Sequence, residues 1–201
     1  MSSREVVRPC CSSTARSATT PARQPDLVRA VVLAEPPAVS LLQHLSGERA
    51  ERGRTLFADI QSRMVVPMKE SFAKGDSAAG VGAFIDYVFA DPNAWNTMSI
   101  SNKTDTLRDA HEWDVMMTTG TLFPEIAPDT VRSIRVPILL MSGAKSYPFL
   151  ALTDAELADL LPDVHRVVFD DSGHQMWLKH PQECRDDAAK FFAKHGGPAL
   201  E

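Results

Sequence analysis

Two short runs rich in apolar and β-branched residues near the end of the chain, 136–141 and 164–169, are separated by just enough sequence for one loop and one short helix. Buried strands joined through a helix lie side by side in parallel, because the crossover returns the chain to the end it started from; antiparallel neighbours need only a tight turn. The pair therefore points to an α/β chain with a parallel sheet. A loop is expected over 142–152, a helix over 154–161, and a last helix over 181–195, where the missing N–H of Pro181 costs nothing in a first turn. A third run, 30–34, is stopped by Glu35, Pro36 and Pro37 and reads as another buried strand.

Between about residue 40 and residue 128 the apolar spacing is helical, with segments expected over 47–64, 67–74, 78–89, 91–97 and 103–117 and no strand. Asp76 can cap the helix that follows it, and Asp91-Pro92 marks another start. The layout is thus strand, long helical insertion, then strand-helix-strand-helix, with loop tips at Gly143 and Gly173 on one face. There is no internal repeat.

The 201 residues are 44% apolar and 23% charged, enough for one domain with a substantial core. A net charge of −5 offers no concentrated basic face, which argues against nucleic acid or an anionic membrane as partner. No apolar run approaches the roughly 20 residues of a membrane span. Three cysteines, Cys10 and Cys11 adjacent, make neither a disulfide framework nor a metal-ligand spacing. His44, His111, His165, His180 and His195 share no ligand spacing either, so no metal and no cofactor are expected. The expected setting is the reducing cytoplasm. Residues 1–20, rich in Ser, Thr and Arg with Glu5 as the single acid, predict a disordered or aberrant segment.

The chemistry centres on HRVVFDDSGHQMWLKHP, residues 165–181. It ends a strand and presents one imidazole, His174, at the carboxyl end where ligands gather in open α/β sheets. Gly173 is expected to let the backbone turn sharply, and Asp170 and Asp171 to shape the turn. By itself an isolated Gly-His pair reads first as an ordinary surface histidine in a strand-to-helix loop.

Taken in order and spacing, the RQPDLVRAVVLAEPP strand, the helical insertion, the VPILLMSG strand and the SGHQMW loop followed by HPQE resemble the C-terminal half of an α/β-hydrolase. The fold class implied is α/β: a partial α/β-hydrolase fold, a short parallel sheet edge with a helical cap insertion. Its parts would be residues 1–20 outside the fold, 21–39 a core strand, 40–130 the cap, and 131–201 the C-terminal part of the hydrolase domain.

The resemblance gives His174 the position of the catalytic base in a nucleophile–His–acid triad. Many members carry the acid in the loop after the penultimate strand, where this chain has Ser146, a neutral hydroxyl. Some carry it at the end of the strand directly after the nucleophile strand, which makes Glu35 the candidate acid, against the plainer reading of a glutamate opening a proline turn. Asp154 and Asp114 are more remote candidates.

A GxSxG elbow needs glycines, and none precedes Gly47. Ser12, Ser13, Ser17, Cys10 and Cys11 lack glycine neighbours, so no nucleophile elbow or oxyanion loop is expected. Two origins are open: a truncated gene product, or a frame-shifted or mis-started reading over the first 20-odd residues.

In the family the cap lines an apolar acyl or alkyl pocket. Phe57, Met64, Met68, Phe72, Phe84, Tyr87, Phe89, Trp95, Met98, Trp113, Met116 and Met117 could contribute, although most would pack helix on helix. Trp177, Met176 and Phe149 are the expected substrate-binding residues. The implied activity is hydrolysis of small apolar esters or related substrates, negligible in this chain alone. The alternative is a non-catalytic remnant that binds an apolar ligand or self-associates through an open sheet edge.

Overall fold

The computed structural model describes residues 28–120 and 122–195. In chain order it contains β1 (Val31–Ala34), a 3₁₀ turn (Val39–Gln43), α1 (Arg49–Ile60), a π-helical stretch (Gln61–Val65), α2 (Val66–Ala73), α3 (Ser77–Val88) and α4 (Ala94–Thr97). There follow α5 (Ile100–Leu107), α6 (Ala110–Thr119), α7 (Pro128–Arg132), β2 (Ile138–Gly143), α8 (Pro148–Leu160), β3 (Val164–Phe169), α9 (Met176–Lys179) and α10 (Pro181–His195). Among the described residues no helix is long and apolar enough to cross a membrane. Residues 1–20, with Cys10, Cys11, Ser12, Ser13 and Ser17, lie outside the described residues.

Two compact units divide these elements. The sheet unit holds residues 28–36, 128–147 and 157–195. Its three strands run in the order β1-β2-β3, all parallel, with Val31 opposite Ile138 and Ile138 opposite Val164. All six residues of β2 are buried, as a central strand requires, and this is why its first four, Ile138 to Met141, are continuously apolar instead of alternating. Leu139, Met141, Phe169, Met176 and Phe191 pack together; each such side chain taken from water is worth about 1.5–3 kcal/mol. β2 starts two residues later than expected and runs on to Gly143. Pro137 has no N–H for the ladder and serves it only as an acceptor, from Val31 N–H at 3.0 Å.

The helical unit holds residues 37–127 and 148–156. Its core gathers Val39, Leu42, Ile60, Met64, Met68, Phe72, Val81, Ile85 and Met117. Phe57, Phe84, Tyr87, Trp95, Met98 and Trp113 pack partly buried against it, and Phe89 is exposed. Gly53 is required by packing, since a Cβ there would lie 2.4 Å from the Leu42 carbonyl oxygen. Asp76 caps α3 through Ala79 N–H at 2.9 Å.

Three helix boundaries differ from expectation for identifiable reasons. The helix expected over 67–74 begins one residue earlier, at Val66, with Pro67 in its first turn, and it follows the π-helical stretch without a break, so the chain stays helical through a residue with no N–H to give. The expected helix over 103–117 is two: α5 starts earlier, where Ser99 caps it through Asn102 N–H, and ends at Leu107, and α6 restarts at Ala110. α8 begins at Pro148, inside the expected loop. Leu150, Leu152, Thr153 and Asp154 are all buried, so its first turns lack the polar face that marks a helix in sequence.

Candidate active site

Parallel pairing brings the carboxyl ends of all three strands to one edge of the sheet unit, and the candidate residues follow those ends. Glu35 comes directly after β1. Its N–H still donates to the Met141 carbonyl at 3.0 Å, but Pro36 and Pro37 can donate nothing further, so the chain leaves the ladder there. Its φ is +43°, in the left-handed region, which costs a non-glycine residue about 1–2 kcal/mol. Among the described non-glycine residues only Ala90 shares this feature. The strained backbone turns the carboxylate inward, where the residue is 1% exposed.

A buried carboxylate must be matched by donors, and Glu35 has three. Gly143 N–H donates to Oε1 at 2.8 Å, the Ser146 hydroxyl donates to Oε2 at 2.7 Å, and His174 Nδ1 lies 2.7 Å from the same Oε2. An ionised carboxylate only accepts, so Nδ1 carries the proton and Nε2 is the ring nitrogen left for proton exchange. The His174 side chain is one-third exposed, so its ring meets solvent while its partner does not. The Trp177 ring stands edge-on to it at 5.3 Å, and the Tyr147 ring lies at 5.9 Å. Burial first, and then the charge of Glu35, push the Tyr147 phenol above its ordinary range.

The loops after β2 and β3 are laced together. Ala144 N–H donates to the Phe169 carbonyl at 3.0 Å and Lys145 N–H to the Ser172 carbonyl at 2.9 Å. A Cβ at Gly143 would lie 2.3 Å from the Gly173 carbonyl oxygen, so the close approach demands glycine at 143. Gly173 is different from expectation. Its φ is not left-handed, and a Cβ there would make only an ordinary 3.4 Å contact with the Lys145 carbonyl oxygen.

Asp171 closes the loop that carries His174. It accepts from Lys179 Nζ at 2.7 Å and pairs with His180 Nε2 at 2.7 Å, while His180 Nδ1 reaches Glu183 at 3.0 Å. The imidazole of His180 stacks on Phe169 at 5.4 Å. Hydrogen bonds from Lys179 and then His180 pull the Asp171 carboxyl down to about 2. Glu183, and then Asp171, raise His180 above the ordinary imidazole value. This clasp was not expected from sequence, since charges eight and nine positions apart leave no periodic trace.

Of the expected substrate-binding residues, Trp177 sits against His174. Met176 is fully buried in the sheet unit's apolar cluster, a core position with no surface to offer a ligand. Phe149 belongs to the helical unit, packed on that unit's core. Asp154 is buried in the helical unit and Asp114 lies on α6, whereas Glu35 is the carboxylate bonded to His174. Among the described residues, no hydroxyl or thiol is hydrogen-bonded to His174, and no three His, Cys, Asp or Glu side chains could together hold a metal ion.

No protein-family model and no curated sequence matches the chain. Solved structures do. MenH from S. aureus aligns with a TM-score of 0.53 at 10% identity, over 96% of this chain and 79% of its own. The candidate non-heme bromoperoxidase BpoC from Mycobacterium tuberculosis aligns at 0.52 and 16% identity, over 90% of this chain and 63% of its own. The proline iminopeptidase of Mycobacterium smegmatis aligns at 0.50 and 19% identity, over 90% and 62%. The chain thus spans less than two thirds of the length of the last two. All are α/β-hydrolase-fold enzymes, and with its parallel three-stranded sheet and helical insertion this chain has the fold of the α/β-hydrolases over that part of their length.

Proposed function

We propose that the chain is an α/β-hydrolase-like protein in which Glu35 and His174 form the acid–base half of a nucleophile–His–acid triad acting on small apolar esters or related substrates. The observation that supports this most is the 2.7 Å approach of Glu35 Oε2 to His174 Nδ1 at the carboxyl edge of a parallel sheet. In that chemistry Nε2 takes the proton of a nucleophilic hydroxyl as its oxygen bonds to the ester carbonyl carbon, then returns the proton to the departing alcohol. Water repeats the cycle on the acyl intermediate: it gives a proton to Nε2 as its oxygen bonds to the carbonyl carbon, the bond from that carbon to the nucleophile oxygen breaks, and Nε2 returns the proton to that oxygen as the acid leaves. Glu35 stays ionised throughout and stabilises the imidazolium. Trp177 gives the substrate an apolar neighbour beside the base. These steps use no cofactor.

By sequence position the helices between β1 and β2 correspond to the family's cap insertion. The cysteine pattern fits the cytoplasm. No GxSxG occurs in the 201 residues and no glycine precedes Gly47, so the chain alone is expected to turn over esters negligibly. Assays of the purified chain with p-nitrophenyl acetate and butyrate test this: rates should equal those of buffer and of His174→Ala. Hydrolysis above background that His174→Ala abolishes would show that these residues do contain a working nucleophile.

A second reading, non-catalytic, is favoured by β1. Among the described residues it pairs only with β2, so its Val-Val-Leu-Ala edge is a template for another chain. Such a protein would bind an apolar ligand or self-associate. Elution that shifts with concentration in sizing would favour this reading, and a concentration-independent monomer would count against it.

A further inference from the structure

We infer that Ser146 is a positioning residue for the Glu35–His174 pair and not a nucleophile. The inference rests on the acid–base reading of that pair. The turn after β2 grips both oxygens of Glu35 at once: Gly143 N–H holds Oε1 at 2.8 Å and the Ser146 hydroxyl holds Oε2 at 2.7 Å. The turn is itself closed by Ser146 N–H donating to the Gly143 carbonyl at 3.2 Å. Two donors from one short turn fix the plane of the carboxylate, which otherwise rotates about its last torsion with a broad preference. That plane decides whether Oε2 faces Nδ1.

A serine hydroxyl has one hydrogen to donate, and here it is spent on Oε2. It has none to pass to His174, and Nδ1, the ring nitrogen on this side, already faces the same oxygen. Ser146 therefore does not have the geometry of a serine activated by histidine. What it can do is keep Oε2 aimed, so that the proton stays on Nδ1 and Nε2 keeps its lone pair for the reacting group.

Nitrogen-15 NMR of the imidazole in the full chain tests this with Ser146→Ala, Ser146→Thr and Glu35→Gln beside the unmodified protein. In Ser146→Ala the Nδ1–H resonance should broaden as its proton exchanges several-fold faster with solvent, and the neutral ring should become a mixture of tautomers. Ser146→Thr, which keeps a hydroxyl, should restore the original signals, and the amide spectrum should report an unchanged fold in both. Ser146→Ala signals that superimpose on those of the unmodified protein, while Glu35→Gln changes them, would overturn the role of Ser146 alone. If Glu35→Gln leaves them unchanged too, the pair itself is not formed, and the acid–base reading falls with it.

Discussion

Glu35 Oε2 and His174 Nδ1 lie 2.7 Å apart although 139 positions separate them in the chain. The sheet makes this possible. Glu35 leaves β1 and His174 follows β3, and both strands pair in parallel with β2, so residues distant in sequence reach one edge together. The backbone of Glu35 is strained to achieve it, and the three donors to its carboxylate offset that strain.

Removing the carboxylate should destabilise the sheet unit. Glu35→Ala leaves Gly143 N–H and the Ser146 hydroxyl without their acceptor and keeps the left-handed backbone, for an expected loss of about 2–4 kcal/mol in urea denaturation. A loss under about 0.5 kcal/mol would mean that the carboxylate is not held as described.

The two loop glycines should respond unequally. Gly143→Ala forces a Cβ against the Gly173 carbonyl at 2.3 Å and should cost at least about 2 kcal/mol, whereas Gly173→Ala meets only an ordinary contact and should stay within about 1 kcal/mol. Equal losses would contradict the close approach of the two loops.

Met176 should behave as core. Met176→Ala is expected to cost about 2–5 kcal/mol, because the side chain is fully buried among Leu139, Met141, Phe169 and Phe191. A stable variant with altered ligand binding would instead restore it to a pocket wall.

The Asp171 clasp should make stability depend on pH in a defined window. The Asp171 carboxyl is depressed from 3.8 to about 2, so its contribution is present above the ordinary carboxylate value and lost as pH falls through about 2. His180 is raised from 6.5, so its contribution is complete below that value and lost as pH rises through the raised one. Thermal melts of Asp171→Asn should accordingly show a larger drop in Tm near pH 5.5, where His180 is charged, than at alkaline pH, where it has lost its charge. A drop that is the same at both would remove His180 from the clasp.

The strands and the fold were legible in sequence because short apolar runs separated by one loop and one helix signal parallel pairing, although only β2 is buried throughout and β3 exposes His165 and Arg166; Glu35 stood out because two prolines end its strand. His174 was legible from its place after β3. Other features left no such trace. The first turns of α8 bury their polar residues Thr153 and Asp154 along with Leu150 and Leu152, so no polar face marks them as a helix. The π-helical stretch hides the continuity of the helix around Pro67. Met176 and Trp177 are adjacent and alike in hydrophobicity, yet one points into the core and the other packs beside the imidazole. Ser146 looked like a missing acid, and its hydroxyl proved to bind the acid supplied from another strand.

The most direct measurement is the tautomer of neutral His174, read from its two ring nitrogens by long-range proton–nitrogen NMR on the unmodified chain. A proton on Nδ1 with a bare Nε2 is the result this account predicts. A proton on Nε2, with Nδ1 unprotonated, would contradict it, because Glu35 could then not be an ionised partner accepting from that ring.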